Sequence, residues 1–141
     1  MDDSASLAHT RWECKYHVVF TPKYRRKLTL WADRKELGKV FMELARQKES
    51  PIEAGSIKED HVHMVINIPP KYSVAQVIGY IKGKSAVYIA RTYAGKKRNF
   101  TGEQFWARGY YVSTIGKDEA ASKEYVCRQQ EEDKRIEQMK L

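Results

Sequence analysis

The chain has 141 residues, 42% of them aliphatic or aromatic, which suits one small domain with a real core and leaves little room for a second. Its 26 Lys and Arg against 18 Asp and Glu give a formal charge of +8 and a pI near 9.5, the balance of a domain that meets a polyanion. No apolar run approaches the ~20 residues of a membrane span, so no membrane partner is expected.

The polar, acidic start MDDSASLAHT does not read as a signal peptide, so a cytoplasmic protein is expected. Residues 1–10 read as a loose arm. A strand follows over residues 14–22 (CKYHVVFTP), rich in β-branched and aromatic types and ended by Pro22. The basic loop KYRRK comes next. From Asp33, a potential cap, Leu37, Val40, Phe41 and Leu44 fall at helical spacing, and Ser50 with Pro51 stops the helix. IEAGSIKED (52–60) reads as a weaker strand and HVHMVINI (61–68) as a strong one closed by two prolines. Ser73 caps a second helix whose stripe is Val74, Val77, Ile78, Ile81 and Tyr88. After the basic loop AGKKRNFTGE, a final strand runs over about 110–114, and Asp118 opens a third helix to about Gln138. The order β-α-β-β-α-β plus a C-terminal helix is an α+β, ferredoxin-like (RRM-like) antiparallel sheet. Two helices are expected on one face, with the other face open. The whole chain, 1–141, is expected to be one domain, with 117–138 a mobile catalytic helix.

Charge is unevenly spread. Residues 61–116 hold 8 Lys and Arg against one acid, Glu103, whereas residues 1–60 hold 12 against 10. The middle of the chain is therefore the expected polyanion surface. Cys14 and Cys127 lie far apart without CxxC spacing, so two reduced thiols are expected rather than a disulfide or a structural zinc site.

The third helix is unusual. Between Glu119 and Asp133 its only aliphatic residue beyond alanine is Val126, so it cannot bury an ordinary core stripe. Ala121, Tyr125 and Gln129 are spaced four apart and share a face. Gly116 offers a joint just upstream. The second oddity is His61 and His63 at the head of the strong strand. Residues two apart project from the same side of a strand. The two imidazoles then meet at one point, while Val62 and Met64 face the core. Asp60 should alternate to the opposite face.

Each signal alone has an ordinary explanation: Tyr125 as an amphipathic anchor, the histidines as tiling of a sheet. Joined, they describe a cation held by His61, His63 and Gln129 with Tyr125 beside it. The phenolate would attack a polarised phosphate, which is covalent nucleophilic catalysis with Lewis-acid help. Zinc hydrolysis lacks a carboxylate or water-activating base at the right spacing. His9 and His17 have no partner at useful spacing and read as structural.

Histidine–bulky apolar–histidine in DHVHM is the HUH motif. Together with LAHTRWECKYHVVFTPKYRR, DHVHMVINIPPKYSV, IGYIKGKS, FWARGYYVSTIG and EYVCRQQEEDK, in that order, it resembles the single-tyrosine HUH transposases of the smallest bacterial insertion sequences. The resemblance runs from about Leu7 to Met139. It implies that His61 and His63 are metal ligands, Gln129 a third, and Tyr125 the nucleophile. It also implies magnesium or manganese as cofactor and single-stranded DNA with subterminal hairpins as substrate. The protein would be a homodimer with joined sheets and composite active sites.

Binding single strands and hairpins needs cations for phosphates and aromatic faces for bases. Lys23, Arg25, Arg26 and Lys27 form one basic cluster. Lys82 and Lys84 sit on the second helix. Lys96, Lys97 and Arg98 precede Phe100, and Arg108 lies between Trp106 and Tyr110. The rival reading is a non-catalytic ferredoxin-like module that grips single-stranded DNA or RNA. Such a module needs neither Tyr125 nor Gln129.

Overall fold

A computed structural model of the protein describes residues 5–7, 10–25, 27–28, 32–93 and 105–116. Within the N-terminal arm, β1 (Ala5–Leu7) pairs antiparallel with β2 (Thr10–Trp12) as a separate two-stranded ladder. The main sheet is built from β3 (Lys15–Phe20), β4 (Ile52–Ile57), β5 (Val62–Asn67) and β6 (Tyr111–Ile115). Helix α1 (Arg34–Gln47) joins β3 to β4, and α2 (Val74–Tyr93) joins β5 to β6. The strand order is β4-β5-β3-β6, with every neighbouring pair antiparallel. This is the expected split β-α-β arrangement, in which each helix crosses over one intervening strand.

Local chemistry fixes the helix ends. Asp33 is extended, and its Oδ1 accepts from the backbone N–H of Lys35 (2.8 Å) and Glu36 (3.2 Å), satisfying donors that the first turn leaves open. Leu37, Phe41, Leu44 and Ala45 are the buried side of α1. The helix ends through Glu49, whose φ of 51° is left-handed, and the Ser50 N–H returns to Ala45 O at 2.9 Å. For α2, Ser73 Oγ accepts from the Gln76 N–H (3.0 Å) and Gln76 Oε1 accepts from the Ser73 N–H (2.8 Å). That reciprocal pair is a capping box.

Strand alternation divides the sheet. Val18 stands opposite Met64, Phe20 opposite Val62 and Tyr16 opposite Ile66. These join Leu37, Phe41, Val77, Ile78, Ile81 and Ile89 in one core, so both helices cover this face. The other face carries Lys15, His17, Val19, His63, Val65 and Asn67. The expectation of an open second face is not met there: His17 is 0%, His63 2%, Val65 3% and Asn67 2% exposed. All six residues of β5 are buried, as suits a strand flanked on both edges and covered on both faces. Among the described residues, no helix is long and apolar enough to cross a membrane.

Candidate functional site

The site starts at the β4–β5 turn. Ile57 pairs with Val62, and the Lys58 N–H donates to His61 O at 2.8 Å, leaving Glu59 and Asp60 as a two-residue connection. The Leu28 N–H ties Glu59 O from outside at 2.6 Å. His61 is the last turn residue and His63 lies two residues on. Their ring centroids are 4.5 Å apart and their planes 81° apart. The pair therefore converges, as its spacing predicts, while Val62 and Met64 lie in the core. Both rings are buried rather than half-exposed, at 9% and 2%.

Each imidazole is held through Nδ1. Asp60 Oδ1 lies 2.6 Å from His61 Nδ1. This departs from the alternation expected of Asp60, because Asp60 belongs to the turn and strand periodicity does not reach it. On the second ring, His63 Nδ1 lies 3.3 Å from His17 Nε2, with the two rings stacked at 5.5 Å and 8°. His17 faces Val65 and His63 faces Val19 across the β3–β5 ladder, so the two histidines are diagonal neighbours. Spacing along the chain offers His17 no partner, since strand pairing brings together residues 46 positions apart. Tyr111, opposite Val19 on β6, also stands on this face and is 57% exposed. Its ring meets His17 edge-on at 6.4 Å.

These donors fit a divalent cation. A liganding imidazole is neutral and bound through one nitrogen, with the other nitrogen donating to an oriented partner. His61 and His63 each have an oriented partner at Nδ1 and lie side by side. Among the described residues, no group of three His, Cys, Asp or Glu could hold a metal ion, so the set needs a ligand of another type or from elsewhere.

The other expected site residues are scattered. Tyr125, Gln129, Arg26, Lys96, Lys97 and Arg98 lie outside the described residues. Lys23 and Arg25 fall in a 3-10 turn around Tyr24, which is 78% exposed with a left-handed φ of 61°. Lys23 Nζ is 5.4 Å from the Tyr24 ring. Lys84 is exposed on α2, and Arg108 is exposed just before β6. Lys82 points back to the protein: its ammonium donates to Ala107 O (2.8 Å) and Gly109 O (2.7 Å). Burial lowers its pKa from the ordinary value.

Residues 10–129 match the family model described as "Transposase IS200 like". The chain is 43% identical over 141 residues to the transposase for insertion sequence element IS200 of Salmonella typhimurium, covering 100% of this chain and 93% of that one. The Salmonella typhi transposase for the same element matches equally. Among solved structures, the chain resembles a candidate transposase from Deinococcus radiodurans R1, with a TM-score of 0.66 at 20% identity over 89% of this chain and 96% of the other. It also resembles a REP-associated tyrosine transposase bound to a REP hairpin, with a TM-score of 0.57 at 14% identity over 86% of this chain and 68% of that one. At those identities the structural likeness speaks for the fold, whereas the sequence match speaks for the lineage: the chain belongs to the family of IS200-like transposases.

Proposed function

We propose that this transposase cuts single-stranded DNA at insertion-sequence ends and rejoins it through a 5′-phosphotyrosine intermediate. Tyr125 would be the nucleophile, and His61, His63 and Gln129 would hold a divalent cation, Mg2+ or Mn2+. The observation that carries this reading is the convergence of His61 and His63, 4.5 Å between centroids, each anchored at Nδ1. When bound, the cation would polarise the phosphate and offset its charge.

The chemistry of a phenol sets the rest. Tyr125 Oη attacks phosphorus, the bond from phosphorus to the 3′ oxygen breaks, and that oxygen takes up a proton as a free 3′ hydroxyl. The 5′ phosphate stays on the tyrosine as an ester, so the bond energy is conserved. A second 3′ hydroxyl can then attack the ester, restore a phosphodiester and release the tyrosine, with no ATP. This balance suits strand transfer better than digestion.

Hairpin recognition draws support from the fold relative that was solved with a REP hairpin. Lys23, Arg25, Arg26, Lys84, Lys96, Lys97, Arg98 and Arg108 are the cations we assign to DNA, with Lys82 as a support for the 107–109 backbone. A homodimer is supported by the sheet, whose edges are β4 and β6. A groove of about 1000 Å³ between α1 and β4 runs along the first of these edges. Joining of sheets there, with the helix expected over 117–138, which lies outside the described residues, completing a composite site, would explain why that segment's sequence lacks a core stripe of its own.

The test is a denaturing gel after incubation of the full chain with labelled single-stranded hairpin ends and Mg2+. Wild type should form a covalent adduct, and Tyr125→Phe should bind the DNA but form none. Peptide mapping should place the adduct on Tyr125 rather than on Tyr111, which also occupies the histidine face. Binding without any adduct by wild type would leave the non-catalytic module as the better description.

A further inference from the structure

We infer that His17 and Asp60 are positioning residues of the metal centre: each accepts the Nδ1–H hydrogen bond of one liganding imidazole and so turns that ring's Nε2 to the cation. The inference rests on His61 and His63 binding metal, as proposed above.

A neutral imidazole carries one proton, and only its unprotonated nitrogen can bind a cation. Asp60 Oδ1, 2.6 Å from His61 Nδ1, is an acceptor when ionised. It therefore keeps the proton on Nδ1 and the lone pair on Nε2. For His63 the neighbour is another imidazole, His17 Nε2 at 3.3 Å, and two proton placements satisfy the bond. If His17 donates, His63 must carry its own proton on Nε2 and cannot bind there. If His63 donates, Nε2 is the ligand and His17 carries its proton on Nδ1. Cation binding selects the second placement. Both rings then present the same nitrogen.

The two partners are built differently. His17 is completely buried on a central strand between β5 and β6, with its ring stacked on His63 and the Tyr111 ring edge against it. It cannot swing, so it fixes the plane of His63. Asp60 belongs to the turn closed by the Lys58 N–H to His61 O bond, and its side chain is 45% exposed. A charged acceptor makes a stronger hydrogen bond than a neutral ring nitrogen, so Asp60 should weigh more on affinity and His17 more on ring orientation.

Mn2+ alone serves as the probe, with the free aqua ion measured by electron paramagnetic resonance at equilibrium with the full chain. Asp60→Leu and His17→Phe should each bind Mn2+ roughly 10–100-fold more weakly than wild type, the range for removing an outer partner of a metal ligand. Asp60→Asn and His17→Gln keep an oxygen acceptor and should recover most of that loss. Thermal midpoints of the metal-free variants show whether each folds. If His17→Phe does not fold, the Asp60 pair decides alone, because that side chain is half-exposed. Mn2+ affinity within twofold of wild type in folded Asp60→Leu, or amide variants no better than apolar ones, overturns the inference. Failure of wild type to bind Mn2+, or of His61→Ala to weaken it, instead sinks the metal reading and the inference with it.

Discussion

Val62 and His63 are consecutive in β5 and end on opposite faces of the sheet. Val62 is 1% exposed opposite Phe20 in the core, and His63 stands opposite Val19 with Nδ1 3.3 Å from His17. One register therefore does two things, burying Val62, Met64 and Ile66 and setting His63 beside His61. A slip of one residue would send the imidazoles into the helix layer. Met64→Ala, made in the fully packed face, should cost about 2–5 kcal/mol of unfolding free energy by urea titration. His61→Ala removes a ring at the end of the turn and should cost about 1 kcal/mol, yet abolish the DNA adduct while hairpin affinity stays. A stability loss equal to that of Met64→Ala would make His61 a structural residue.

Gly55 couples the edge strand to the site. A Cβ there would meet His63 O at 2.8 Å and Met64 Cα at 3.5 Å. Both neighbours are backbone, so neither can rotate away. Gly55→Ala should force β4 off β5 at the histidine, with a cost of about 1–3 kcal/mol as for other overpacked sites. The adduct rate should fall beyond what the folded fraction accounts for. An unchanged urea midpoint would mean that the ladder yields there more easily than its spacing implies.

Much of this arrangement is legible in the sequence because the signals are local. Asp33 and Ser73 cap the helices they precede, and the alternation in residues 62–67 separates core from site. The hidden parts are those that depend on pairing across the sheet. Nothing near His17 in sequence announces His63, since the ladder joins β3 to β5 through residues 46 apart. Asp60 escapes the expected alternation because the turn, not the strand, sets its direction. Lys82 reads as a surface cation on a helix, but burial beside Phe20 and Tyr110 and two carbonyl acceptors draw it inward. The second face reads as open because its covering is not visible in the pattern of any single strand.

That inward turn gives Lys82 and Lys84 different signatures, although both lie on α2. Lys84 is exposed. Removing one cation that pairs with a phosphate reduces the salt dependence of binding by about one unit of slope. Lys84→Ala should weaken hairpin binding and lower that slope by about 1. Lys82→Ala should leave the slope nearly unchanged and lower the thermal midpoint, because Ala107 O and Gly109 O are deprived of a charged donor. Fluorescence anisotropy across a salt series, beside thermal melts, separates the two. Equal slope changes would return Lys82 to the DNA surface.

Lys15 supplies a pH test on the histidine face. Its Nζ lies 3.0 Å from Glu53 and 3.6 Å from Glu13, and its side chain is 2% exposed. Burial alone would lower its pKa, but the Glu53 and Glu13 carboxylates outweigh that and hold it above the ordinary 10.5. A lysine whose folded pKa is raised contributes stability that is fully present below 10.5 and fades as pH climbs through the folded value. Lys82 shifts the opposite way through burial, so the informative quantity is wild type minus Lys15→Met. That difference in unfolding free energy should be flat from neutral pH to about 10 and shrink above it. Glu53→Gln, which leaves the ammonium buried with one acid fewer, should lose more at neutral pH than Lys15→Met, whose freed carboxylates can hydrate. A difference that grows with pH, or a Glu53→Gln variant as stable as wild type, would show that the ammonium draws its stabilisation from somewhere other than these two acids.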